Sequence, residues 1–158
     1  MFFSKLRRTR ELFVVIKKSQ VFQDLTMLEW RRIESIMHER HFQNGELVFA
    51  EGEEGMGLYL ILSGRVQMAR NVDNVLKELG QLKRGESFGE LTLIDGSGRT
   101  AQAVAMENTQ LLGFFRPALL DLMQREPRIA AKVYSRLAEQ AAQRLRRLLE
   151  DKKLAESF

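Results

Sequence analysis

The sequence predicts an α+β fold: an antiparallel β-roll of jelly-roll type, with flanking N-terminal helices and a long C-terminal helix. Three observations carry this. All eleven glycines lie between Gly45 and Gly113. Within that stretch, runs of strand length rich in Val, Leu, Ile and Phe alternate with turn signals. On either side of it the apolar residues recur at helical spacing instead. With 158 residues and 44% hydrophobic content, the chain has material for one core and one domain. The roll is expected at about 42–116 and the C-terminal helices at about 117–155.

The elements follow in order. Phe2, Phe3 and Leu6 stand among Lys5, Arg7, Arg8 and Arg10. That is an amphipathic element suited to docking on its own domain or a partner, or to touching a membrane surface. From Leu25 to Met37 the residues Leu25, Leu28, Ile33, Ile36 and Met37 recur at helical spacing, and Thr26 with Glu29 forms a capping-box pattern. Trp30 lies off that stripe and is expected to pack against the N-terminal segment. Strands are predicted over Glu46–Glu51, Leu58–Leu62, Arg65–Arg70, Leu76–Lys83, Thr100–Glu107 and Gln110–Phe115. Pro117 and Pro127 then suit the first turns of a short and a long helix, where a missing N–H has no intrahelical partner. In the long helix Ile129, Val133, Leu137, Ala141 and Leu145 are spaced by four, so the stripe rotates around the helix. This predicts packing on the roll. Leu148 and Leu149 continue an apolar face beyond it, which makes a homodimer through the C-terminal helix the second expectation.

Composition excludes several functions. The absence of cysteine removes disulfides, thiolate metal sites and a thiol nucleophile. The early apolar run Leu12–Ile16 is too short for a membrane span, so a cytoplasmic location is expected. The net charge of +4 is segregated: residues 1–20 carry six Lys/Arg against one acid, 21–115 nine against fourteen, and 116–158 ten against six. Basic ends can meet nucleic acid or anionic membrane, although solvated helix faces are often basic for solubility alone. No serine has a plausible histidine base, so an enzyme is not expected. His38 and His41 are placed at the end of the first helix and fall short of a metal site; a metal-binding roll would need histidines on its strands, and none is expected there.

The chemistry concentrates in G-E-S-F-G-E-L-T-L-I, Gly85 to Ile94, followed by D-G-S-G-R-T-A, Asp95 to Ala101. Gly89 lets backbone approach a ligand closely, and Glu90 to Ile94 can start a helical turn whose free N–H groups face an anion. Arg99 offers a planar fork of donors matched to phosphate oxygens, and Thr100 adds a hydroxyl. Glu90 would repel a phosphate unless it accepts from a neighbouring donor such as a ribose 2′-hydroxyl. Sugar with phosphate points to a nucleotide. The competing reading is a glycine-rich loop in which Arg99 pairs with a surface acid such as Asp95.

Phe88, Gly89, Glu90 and Leu91, a short variable stretch, then Arg99, Thr100 and Ala101 resemble the phosphate-binding cassette of cyclic nucleotide-binding domains, the family of the catabolite activator protein and protein kinase A regulatory subunits. Gly45 with Gly52 around the first strand, and Tyr59-x-Ile61-x-x-Gly64-x-Val66, resemble its flanking pattern. The resemblance covers residues 20–127. It implies that Arg99 pairs with the cyclic phosphate, Glu90 accepts from the ribose 2′-hydroxyl, Gly89, Leu91 and Thr92 contribute backbone contacts, and Thr100 contributes its hydroxyl. The implied ligand is cAMP or cGMP, with no other cofactor. Threonine after the arginine leans towards cGMP without deciding. The long helix has no Ser or Thr between Arg136 and Leu149, which puts adenine recognition by helix hydroxyls in doubt. The expected role is a sensor that couples ligand to movement of its terminal helices and to a protein partner. A cyclic di-nucleotide receptor and a scaffold that binds no nucleotide remain as alternatives. Few residues follow Leu149, so the helix-turn-helix of DNA-reading relatives is not expected, nor is sequence-specific DNA binding.

Overall fold

The computed structural model describes residues 2–151; the expected helical residues 152–155 lie outside them. Helix α1 spans Phe2–Ile16 and turns Thr9, Leu12 and Ile16 inward. Helix α2, Met27–Ser35, starts where the capping box placed it. The Glu29 N–H donates to Thr26 Oγ1 at 3.2 Å and the Thr26 N–H donates to Glu29 Oε1 at 2.9 Å, so two otherwise orphaned donors are satisfied reciprocally. The buried face differs from the expected stripe. Trp30, Ile33 and Met37 are buried, whereas Leu28 is 69% exposed; Leu28 sits two residues from Trp30 and therefore across the helix from it. The Trp30 ring lies 5.8 Å from that of Phe22, in the segment joining α1 to α2.

The roll comprises β1 (His38–Phe42), β2 (Leu47–Phe49), β3 (Gly57–Ser63), β4 (Arg65–Val72), β5 (Val75–Lys83), β6 (Ser87–Phe88), β7 (Gln102–Ala105) and β8 (Thr109–Phe115). The six predicted strands are all present. Two more join them, and β1 corrects the placement of the histidines: α2 ends at Ser35, so His38 and His41 lie on a strand and the roll begins before residue 42. Three residues apart on a strand, they point to opposite faces. His38 stacks on Phe115 with centroids 5.2 Å apart, and His41 lies 3.2 Å from Glu39. No cluster of three metal-ligating side chains occurs among the described residues.

The strands form two antiparallel sheets, ordered β1-β8-β3-β6 and β2-β7-β4-β5. In the first, β3 and β8 are covered on both faces, which is why they read as unbroken apolar runs rather than alternating ones. Leu58, Leu60, Leu62, Leu112 and Phe114 face the helices. Ile61 and Leu111 face the roll interior with Phe49, Val66, Phe88 and Ala103.

Helix α3 (Glu90–Asp95) interrupts the roll after β6. Helices α4 (Arg116–Arg125) and α5 (Pro127–Glu150) follow it, each with proline in its first turn. The first half of α5 is fixed. Ile129, Ala130, Val133 and Leu137 are buried, Arg136 grips Asp24 through two bonds of 2.7 and 2.9 Å, and Lys132 bonds Glu29 at 2.6 Å. The predicted stripe is thus buried only in its first half; Leu145 and Leu148 are about half exposed, at 50% and 54%.

Candidate functional site

Between β6 and α3 the chain must turn sharply, and it does so at Gly89, which adopts φ 84°, ψ 19° in the left-handed region. A side chain there would be strained and would collide with the Arg99 guanidinium. The turn leaves the first N–H groups of α3, from Glu90 to Thr92, without intrahelical acceptors. Glu90, Leu91 and Thr92 line a cavity of about 270 Å³ whose wall also includes Phe88, Gly89, Arg99, Thr100 and Ala101. All eight residues singled out in the sequence therefore line one cavity.

Arg99 is the centre of this site. It is 5% exposed, and the loop before β3 clamps its backbone: its N–H donates to Glu53 O at 2.9 Å and its carbonyl accepts from Gly52 at 2.7 Å. Its Nη1 donates to Gly57 O at 2.6 Å and more distantly to Gly89 O at 3.4 Å. The guanidinium lies over the Phe49 ring, 4.0 Å from the centroid, with Tyr59 at 5.9 Å. Phe88 completes that aromatic seat, 5.7 Å from each of the two rings. Gly55 passes so close that a Cβ would come within 2.7 Å of Arg99 Nε. Burial pulls the arginine below its ordinary pKa, with neighbouring Tyr59 and Glu53 opposing the shift. Among the described residues no carboxylate pairs with it, and Nε is buried without a hydrogen-bond partner. The competing reading is not realised, because Asp95 Oδ1 instead accepts from the Ser97 N–H at 2.9 Å.

The other residues divide by what their side chains touch. Phe88 and Ala101 are buried and give the wall its shape, while Thr100 and Leu91 are exposed at the cavity. Thr92 spends its hydroxyl on Ser97 O at 2.9 Å, which closes the loop after α3 and leaves only its backbone for a ligand. Glu90 is 5% exposed, and its Oε1 is ion-paired with Arg144 of α5. The sequence did not single out Arg144. It belongs to a run of similar arginines, and only the fold shows which one overhangs the cavity. Partial burial, aided by the charge of Arg147, lowers the Arg144 pKa. Met68, Leu79 and Leu82 give the cavity an apolar wall.

No described helix is long and apolar enough to cross a membrane. The family model for the cyclic nucleotide-binding domain matches residues 39–126. The chain is 37% identical over 124 residues to a cyclic AMP receptor protein of Thermus thermophilus, covering 78% of this chain and 57% of that protein. Among solved structures, the Thermus thermophilus catabolite activator protein superposes with a TM-score of 0.77 at 35% identity, over 87% of this chain and 63% of that one. A cyclic nucleotide-binding domain from Methylobacillus flagellatus gives 0.79 at 26% identity, over 92% and 83%. The chain thus spans little more than half of its curated Thermus relative. With the cassette geometry and the family match in agreement, the chain belongs to the cyclic nucleotide-binding domain family.

Proposed function

We propose that this chain is a cyclic mononucleotide sensor in which Arg99 binds the phosphate and Glu90 the ribose. One observation carries the reading: a buried, desolvated guanidinium, unpaired by any acid among the described residues, beside a left-handed glycine and a helix start. A buried cation without a counter-anion is costly, and a cyclic phosphate supplies both the charge and acceptors for a planar donor fork. The N–H groups of Leu91 and Thr92 add donors at the positive end of α3. Thr100 offers its hydroxyl, and Glu90 accepts from the 2′-hydroxyl. The cavity lies near the small end of the range for ligand pockets, on the order of 300–1,000 Å³, which suits one nucleotide better than two.

The base lies between the apolar wall of Met68, Leu79 and Leu82 and the overhanging α5. The Thermus relative is a cyclic AMP receptor protein, which favours cAMP, and Thr100 leans towards cGMP, so both belong in the test. Because α5 reaches the site through Arg144, ligand is coupled to the second half of that helix by population shift. Exposed Leu145 and Leu148 on the same half favour a homodimer or a protein partner as the recipient of the signal.

Calorimetry against cAMP, cGMP and cyclic di-GMP tests this reading. We expect tight binding of one mononucleotide and weak binding of the di-nucleotide. No binding of any of the three would leave the scaffold reading in its place.

A further inference from the structure

One face of α1 is exposed and lies outside the nucleotide cavity. Phe3, Arg7, Arg10 and Val14 recur along it at spacings of four, three and four, and Lys18 follows in the turn just beyond the helix, so they form one stripe opposite the buried Thr9, Leu12 and Ile16. Phe3 is 85% exposed and Val14 67%. The neighbouring cations have work elsewhere. Lys17 donates to the carbonyls of Gln23 and Leu25, and Arg8 bonds Glu39 at 2.8 Å. On the stripe itself the one acid of residues 1–20, Glu11, meets Arg7 at 3.1 Å in an exposed pair, which is weak and readily exchanged for another anion.

We propose that this face of α1 docks the protein on an anionic lipid surface. Three cations with two apolar side chains about 16 Å apart along the axis match a headgroup layer lying over an acyl boundary. A nucleic-acid backbone would use the cations but would offer nothing to Phe3 and Val14, which is why lipid is favoured. The helix is already folded and fixed against the domain through Leu12 and Ile16, so binding incurs little ordering cost. With so few apolar anchors the attachment is reversible, and the surface charge of the membrane sets its strength.

The test is vesicle co-sedimentation of the whole chain without nucleotide, using phosphatidylcholine vesicles with and without about 30% phosphatidylserine. Binding is expected only to the anionic vesicles and is expected to weaken at high salt. Each basic residue near such a surface contributes about fivefold, so R7Q/R10Q should weaken binding about twentyfold or more. F3S/V14S should weaken it about tenfold. Both double variants should keep the melting temperature of the parent, since the altered side chains are exposed. Equal binding to neutral and anionic vesicles, or none to either, would overturn the proposal. So would unaltered vesicle binding by F3S/V14S together with full competition by a DNA duplex, an outcome that would assign the face to nucleic acid.

Discussion

Replacing Arg99 tests the phosphate site most directly. In Arg99→Ala the cyclic phosphate enters a desolvated cavity without its countercharge. Losing one member of a buried charged pair costs about 2–5 kcal/mol, or very roughly 30-fold to several thousand-fold in affinity. The structure adds a stability cost. The Gly57 carbonyl loses its 2.6 Å donor, and the face of Phe49 loses the cation 4.0 Å from its centroid. An orphaned buried acceptor costs about 1–3 kcal/mol, offset by relief of the desolvated charge. A lowered melting temperature with the fold retained is therefore expected alongside the affinity loss. Arg99→Lys separates charge from geometry. An ammonium keeps the charge but cannot hold the Gly57 carbonyl with one nitrogen while presenting a planar fork to the phosphate, so it should recover little of the lost affinity. Titration calorimetry with the better mononucleotide measures all three proteins. If Arg99→Ala folds and binds every cyclic nucleotide as tightly as the parent, the assigned site is wrong.

Three further outcomes follow from the fold. The carboxylates of Asp24 and Glu29 are held below their ordinary values of 3.8 and 4.5. For Asp24 the largest cause is the Arg136 hydrogen bond; for Glu29, Lys132 and the capping bonds outweigh burial. A depressed folded-state pKa means stability that is present above these values and lost as the pH falls below them. Thermal melts between pH 7 and pH 3 should therefore show a smaller acid-side loss in Asp24→Asn than in the parent, and equal losses would remove Asp24 from the account. Leu145→Ser/Leu148→Ser should shift the sedimentation coefficient towards monomer; an unchanged value would mean that this face does not join two copies. The chain as it stands should show no sequence-specific DNA affinity, and one tight, salt-resistant complex on a single sequence would refute this.

The cassette was legible because its chemistry demands particular residue types at particular spacing: a glycine where φ is positive, a carboxylate for a sugar, a forked cation for a phosphate. The helix-facing and roll-facing sides of β3 and β8 were legible as strands from hydropathy alone. What stayed hidden lacked such a demand. Strand β1, His-Glu-Arg-His-Phe, has no fully buried residue and is held by backbone pairing to β8, so no pattern marks it. The β4–β5 turn uses Asp73 and Asn74, both at positive φ, where glycine would have announced it. The phase of α2 was misjudged at Leu28 because two apolar faces were available and only tertiary packing chose Trp30. The aromatic seat under Arg99 and the overhanging Arg144 come from elements remote in sequence, and no local spacing reveals them.

The pairing of Glu90 with Arg144 gives the sharpest test of how ligand and helix communicate. Arg144 engages Oε1 of Glu90, which leaves Oε2 for a 2′-hydroxyl, so on the proposed assignment ribose and arginine would hold the same carboxylate together. Arg144 is 53% exposed and Glu90 only 7% by side chain, so solvent screens one partner and the pair is worth about 1 kcal/mol, about fivefold in affinity. Arg144→Ala should therefore weaken nucleotide binding by about that factor. It should also abolish ligand-dependent protection from hydrogen exchange after Ala141, while residues up to Leu137, anchored by Asp24 and Glu29, exchange as before. Glu90→Gln keeps one weaker, neutral acceptor. A 2′-deoxy nucleotide should then lose affinity for the parent and lose much less for Glu90→Gln, since the same bond is already weakened on one side of the cycle. Strictly additive losses would show that Glu90 does not meet the ribose. Identical protection of residues 141–150 with and without saturating nucleotide in the parent would show that α5 does not carry the signal, leaving Arg144 as a static brace for the carboxylate.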